Sequence, residues 1–134
     1  MSNVWRPTER EIEALLRSLD QVRYEYAIKR VAGAEQLWSL RNEDGWVLYG
    51  TGDGRETHPI WPHQIYAKAC AEDEWSDCEP VEIELAEWLE KWTPGMIRDK
   101  RMIAVFPIPK NGKTIVVEPE RFASDLQSEL AKYE

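Results

Sequence analysis

The stretch "RMIAVFPIPKNGKTIVVEPE", Arg101 to Glu120, decides the fold. Met102 to Pro109 is almost unbroken apolar sequence, the pattern of a central strand buried on both faces. "KNGK" (110–113) sets Asn-Gly where a tight hairpin turn takes positive φ, and "TIVVE" reads as the returning strand. Pro119 then sits where a first helical residue needs no N–H, with Phe122, Leu126, Leu130 and Tyr133 along one side of the helix that follows. Strand, hairpin, strand and helix within some 30 residues point to a sheet with helices packed on it.

Working back toward the N-terminus, Leu85, Trp88, Leu89 and Trp92 recur at helical spacing, and "TPG" (93–95) should stop that helix, because the residue before proline is pushed out of the α region. "PVEIEL" (80–85) is strand-like. "WPHQIYAKAC" (61–70) reads as a helix opened by Pro62, with Ile65, Tyr66, Ala69 and Cys70 inward. "EQLWSLRNEDGWVLYG" (35–50) alternates as two strands around Asp44-Gly45. "TGDGRE" (51–56) is a second turn, leading into the short strand "ETHPIW". Thr8 and Glu11 form a capping box before Ile12, Leu15, Leu16 and Leu19. Ser18 and Gln21 suggest another, before a second stripe of Tyr24, Ala27, Ile28 and Val31 that should end at Gly33. The order ααβββαβαββα describes a single α+β domain: a mainly antiparallel sheet, built from an N-terminal meander and a C-terminal hairpin, with helices on it.

The 134 residues are 43% apolar and 31% charged, with seven Trp, as in a chain that buries a real core. No apolar run is long enough to span a bilayer, and "MSNVWRPTERE" has no leader pattern, so the expectation is a cytoplasmic protein without membrane association. Cys70 and Cys78 are too few for a disulfide framework and are expected as free thiols. The net charge of −8 is unevenly placed. Glu72 to Glu90 holds nine acids and no Lys or Arg, so the rest of the chain is nearly neutral. Such a face repels nucleic-acid phosphate and steers basic partners.

Chemistry-bearing patterns are sparse. His58 and His63 lack the spacing that puts two imidazoles on one helical face, so no metal is expected; His58 reads as a surface residue and His63 as bonding a nearby carbonyl. No G-x-S-x-G elbow is present, and Cys70 beside Glu72, Asp73 and Glu74 has its thiolate disfavoured. "GTGDG" (50–54) lies between strands rather than ahead of a helix, which is not the setting of a phosphate loop. Neither a catalytic residue nor a cofactor is therefore assigned. Trp38, Trp46, Trp88 and Trp92 fall at core positions. Trp61 and Trp75 fall at element ends, where an indole can be half exposed, and both flank the acidic stretch; aromatic anchors rimmed by charge mark interaction surfaces.

The motifs "DGWVLYG", "GRETHPIWPHQIYA", "EWSDCEPVEIEL", "EWLEKWTPG", "IAVFPIP" and "GKTIVVEPERFASDL" resemble those of the bacterial family of the domain of unknown function 2750. The likeness covers residues 21–134, and residues 1–20 look like a variable N-terminal helix. More distantly the chain resembles SseB-type domains. These likenesses imply a small α+β module and carry over no ligand-binding residue.

Three expectations follow. In the first, a non-enzymatic module of regulatory or immunity-like role uses Trp61, Trp75, Glu72, Glu74, Asp77 and Glu79 to bind a basic protein. In the second, a pocket at the Pro59–His63 turn, walled by Trp61 with His63 or Arg55 as its polar group, takes a small molecule or hosts an unrecognised reaction. In the third, exposed tryptophans join two copies, so that the protein is a homodimer rather than a monomer.

Overall fold

The computed structural model describes residues 5–50, 55–109 and 113–132. Helix α1 (Glu9–Leu16) is opened by the expected capping box, with the Thr8 hydroxyl accepting from Glu11 N–H at 3.1 Å and the Glu11 carboxylate accepting from Thr8 N–H. Leu19 lies beyond its end and is 74% exposed. Helix α2 (Asp20–Ala34) does not use the Ser18–Gln21 box: Ser18 Oγ turns back to donate to the Leu15 carbonyl, and the Asp20 carboxylate takes the Gln21 N–H instead. Nor does α2 stop at Gly33. It runs on to Ala34, and Glu35 closes it in the left-handed conformation (φ 57°), with its N–H on the Val31 carbonyl.

Strand β1 (Gln36–Asn42) turns through Glu43 and Asp44 into β2 (Gly45–Trp46), with the Asn42 side chain accepting from Asp44 N–H at 2.8 Å. Gly45 stands at φ 122°, a conformation closed to residues with a Cβ. The remaining elements are β3 (Tyr49–Gly50), β4 (Glu56–Ile60), α3 (Gln64–Ala69), a 3₁₀ turn (Asp73–Trp75), β5 (Glu79–Glu84), β6 (Met102–Val105), β7 (Ile115–Val117) and α6 (Pro119–Ala131). The "TGDG" and "KNG" turns and Tyr133 lie outside the described residues.

The α+β class and the mostly antiparallel pairing are as expected, but the meander is divided between two sheets. One has the order β2-β1-β5 and the other β3-β4-β6-β7, with β4 and β6 parallel. The sheets meet where Trp38 and Trp61 exchange main-chain hydrogen bonds of 2.9 and 2.8 Å. β6 is central, and its Ile103, Ala104 and Val105 are buried. The core continues through Leu37, Leu40, Ile60 and Phe106 to Phe122 and Leu126 of α6, which also packs on α2.

Between β5 and β6 the chain winds as α4 (Leu85–Glu87), a π turn (Trp88–Trp92) and α5 (Thr93–Arg98), so Pro94 does not stop the helix as expected. A proline inside an α-helix lacks a donor and crowds the carbonyl four residues back. Here the wider turn ahead of it has Thr93 N–H bonding the Trp88 carbonyl, five residues back, and Thr93 Oγ1 donating to the same carbonyl at 3.0 Å. Trp88 and Trp92 stack on this turn with ring centres 5.1 Å apart. Among the described residues no helix is long and apolar enough to cross a membrane.

Candidate functional site: the acidic face

β5 packs on one side at its end, where Ile83 is buried between exposed Glu82 and Glu84; Glu79, at its start, lies on the side of Ile83 and is exposed there. With the loop before it and the helical segment after it, the strand carries all nine acids from Glu72 to Glu90, and every one of them is exposed. Among the described residues none of the nine takes part in an ion pair. Asp77 is held by neutral groups, its carboxylate accepting from Asn42 Nδ2 at 3.3 Å and from Cys78 Sγ at 3.5 Å. Beside it Arg41, Asn42, Glu43, Asp77, Glu79 and Val81 line an open cleft of about 350 Å³.

The register fixes which way β5 turns its main chain. In an antiparallel ladder alternate residues direct N–H and C=O to opposite sides. Trp38 spends both groups on Trp61, and the Leu40 carbonyl accepts from Val47 N–H, so the even residues of β1 face away from β5. Leu37, Ser39 and Arg41 therefore bond Ile83, Val81 and Glu79, and Glu35 extends the series by accepting from Leu85 N–H. Pro80 and Glu82, with the Glu84 N–H, turn their main chain outward, along an edge that no other strand of the described residues covers. Proline is tolerated in such a place because the donor it lacks would have faced away from the sheet.

Of the six residues expected to bind a partner, Glu72, Glu74, Asp77 and Glu79 are all exposed, and Asp77 and Glu79 line one cleft. Trp75 is half-buried on the 3₁₀ turn among them, its ring edge-on to Trp61 at 6.3 Å. Trp61 itself is 0% exposed, and its Nε1 donates to the Pro107 carbonyl at 2.9 Å. The expected half-exposed indole is therefore a core residue, because the acceptor for its one polar atom lies inside. It offers no surface to a partner or to a second copy, and walls no open pocket.

The remaining pocket residues do not converge. His63 is buried as the N-cap of α3, its Nδ1 accepting from Ile65 N–H at 3.1 Å, so Pro62 precedes the helix instead of opening it. Burial lowers the His63 pKa, helped by Arg6 and opposed by a backbone hydrogen bond with Trp5. Arg55 is exposed and lines a different groove, with Met96, Lys100 and Glu118.

His58, expected at the surface, is buried, with its ring 5.4 Å from Trp92 and its Nδ1 without a hydrogen-bond partner among the described residues. Burial, and then the field of Arg101, holds its pKa down at about 4. Both cysteines are free and buried. Burial pushes the Cys70 thiol up to about 12, and it donates to the Pro107 carbonyl. Among the described residues no group of three His, Cys, Asp or Glu side chains could hold a metal ion.

Two features escaped the sequence reading. Arg23 is 1% exposed, and its guanidinium donates to the carbonyls of Phe106, Ser18 and Lys113. The signal was its phase, four residues before Ala27 on the buried stripe of α2. The other feature is the free edge of β5, for which Pro80 inside a strand pattern was the signal.

Residues 24–126 match the family model described as Protein of unknown function (DUF2750), a span that holds both sheets and the whole acidic face and leaves α1 outside. The matching model is not that of an SseB-type domain. No curated protein matches the chain.

Proposed function

This chain belongs to the DUF2750 family, and we propose that it acts as a non-catalytic binding module whose acidic face engages a basic protein. The observation that supports this is the nine exposed acids from Glu72 to Glu90, which have no ion-pair partner among the described residues. Like charges held together on one face repel one another, and a basic surface brought against them relieves that repulsion and is drawn in over about a Debye length, roughly 8 Å at physiological salt. Glu72, Glu74, Asp77 and Glu79 are the charged contacts and Trp75 the aromatic one, which places the partner over the 3₁₀ turn and the start of β5. The buried free thiols fit a reducing compartment, and the proposal places the protein in the cytoplasm.

The test compares wild type with a variant reversed at the four charged contacts (Glu72→Lys, Glu74→Lys, Asp77→Lys and Glu79→Lys) in affinity capture at low salt, followed by association rates for the captured protein. A basic protein held by the wild type alone, with an association rate that falls steeply as salt rises, is the expected result. A partner that ignores salt and binds the reversed variant equally well would overturn the reading.

A further inference from the structure

The outward edge of β5 carries more than charge. We propose that the basic partner docks there as an extended segment, adding a fourth strand to the β2-β1-β5 sheet; this rests on the acidic-face reading and specifies its binding mode.

Three observations lead to it. The Glu82 and Glu84 N–H groups, and the carbonyls of Pro80 and Glu82, point away from β1 and bond no main-chain group of the described chain, while the Glu84 carbonyl, at the N-cap of α4, serves that helix. An open row of this kind is a template for another strand. Secondly, the side chains of Glu82 and Glu84 lie on the same face of β5 and are exposed, so a strand added alongside would set its own alternate residues against two carboxylates.

The third observation decides the occupant. A second copy of β5 would bring Glu82 and Glu84 against the same residues, and like charges opposed across strands are destabilising. A neutral segment would gain nothing from the carboxylates. A segment with Lys or Arg at every second position matches both the hydrogen-bonding edge and the charge. The Glu residues and Pro80 thus act as a filter that keeps the edge from pairing with copies of itself and leaves it open to basic strands.

The test uses the wild-type chain and two synthetic ten-residue peptides of equal charge. One alternates lysine and threonine, and the other has the same sequence with every main-chain nitrogen methylated. Binding is followed by calorimetry and amide hydrogen exchange at low salt. If the edge takes a strand, the unmodified peptide binds about tenfold tighter or more, as expected for a few main-chain hydrogen bonds. The Glu82 and Glu84 amides should then exchange about tenfold more slowly or less, while those of Val81 and Ile83, already bonded to β1, change little. Equal binding of both peptides, with no added protection at Glu82 and Glu84, overturns strand addition and leaves the acidic-face reading standing. Failure of both peptides to bind overturns the two together. Protection of the same amides in the protein alone, rising with its concentration, would assign the edge to a second copy instead.

Discussion

Replacing Arg23 by methionine keeps the length of the side chain and removes its guanidinium from three carbonyls. The Phe106 carbonyl is wholly buried and has no water to turn to, whereas those of Ser18 and Lys113 lie nearer the surface and recover part of their bonding. A hydrogen bond from a charged donor contributes about 1.5–3 kcal/mol net, so one full and two partial losses come to about 4 kcal/mol. Relief from burying a cation with no carboxylate bonded to it returns about 1 kcal/mol, for a net cost of about 3 kcal/mol. For a chain of this size that is a fall in Tm of roughly 10 °C, or a urea midpoint lower by about 2 M at unchanged slope. Arg23→Lys, whose compact ammonium reaches fewer of the three acceptors, should lose about half as much. Urea unfolding followed by far-UV circular dichroism measures both. A methionine variant within about 0.5 kcal/mol of wild type would refute the claim that this guanidinium joins α2 to the end of β6 and the start of the β7 segment.

His58 gives a pH dependence whose sign is fixed by its folded pKa of about 4, below the unfolded value of about 6.5. The unfolded chain takes up the proton first, so stability is full above pH ~6.5 and declines toward pH ~4 by roughly 3 kcal/mol from this group; unfolding at a series of pH values should show that part of the decline vanish in His58→Phe. Thr93→Val keeps the shape of the side chain but removes the Oγ1 bond to the Trp88 carbonyl, and should cost about 1 kcal/mol in thermal unfolding; no loss would mean that the backbone bond alone sustains the π turn.

What the sequence made legible was local. The Thr8–Glu11 box, the apolar run at Ile103 to Val105 and the face of α6 can be read because the groups involved lie within a few residues of one another. The split of the meander could not be read, because the alternation at Leu37, Trp38 and Ser39 records which residues are buried and not which strand lies alongside, and β5 is some 40 residues away. Trp61 was misplaced for a similar reason. An indole at a strand end is half exposed unless its N–H finds an inside acceptor, and Pro107 is 46 residues further on. Pro94 obeyed the steric rule that was applied to it, yet the π turn met that rule without ending the helix. Of the candidate site, the acids were legible as composition, while the free edge behind them required the register of β1 on both its sides.

The two sheets close in an interleaved order. Along the chain come β1, β4, β5 and β6, and the pairs are β1 with β5 and β4 with β6, so the second closure begins inside the first and ends beyond it. A break anywhere from 43 to 101 separates at least one strand from its partner. A fragment long enough to hold every strand of one sheet also carries a strand of the other, cut off from its partner: β4 lies inside the β1–β5 span and β5 inside the β4–β6 span. Both closures also span long loops, whose entropy must be overcome before pairing brings any return, which sets a slow late step in folding. Such a unit can be extended at its ends, as α1 extends this one, but it cannot be divided or spliced through its middle.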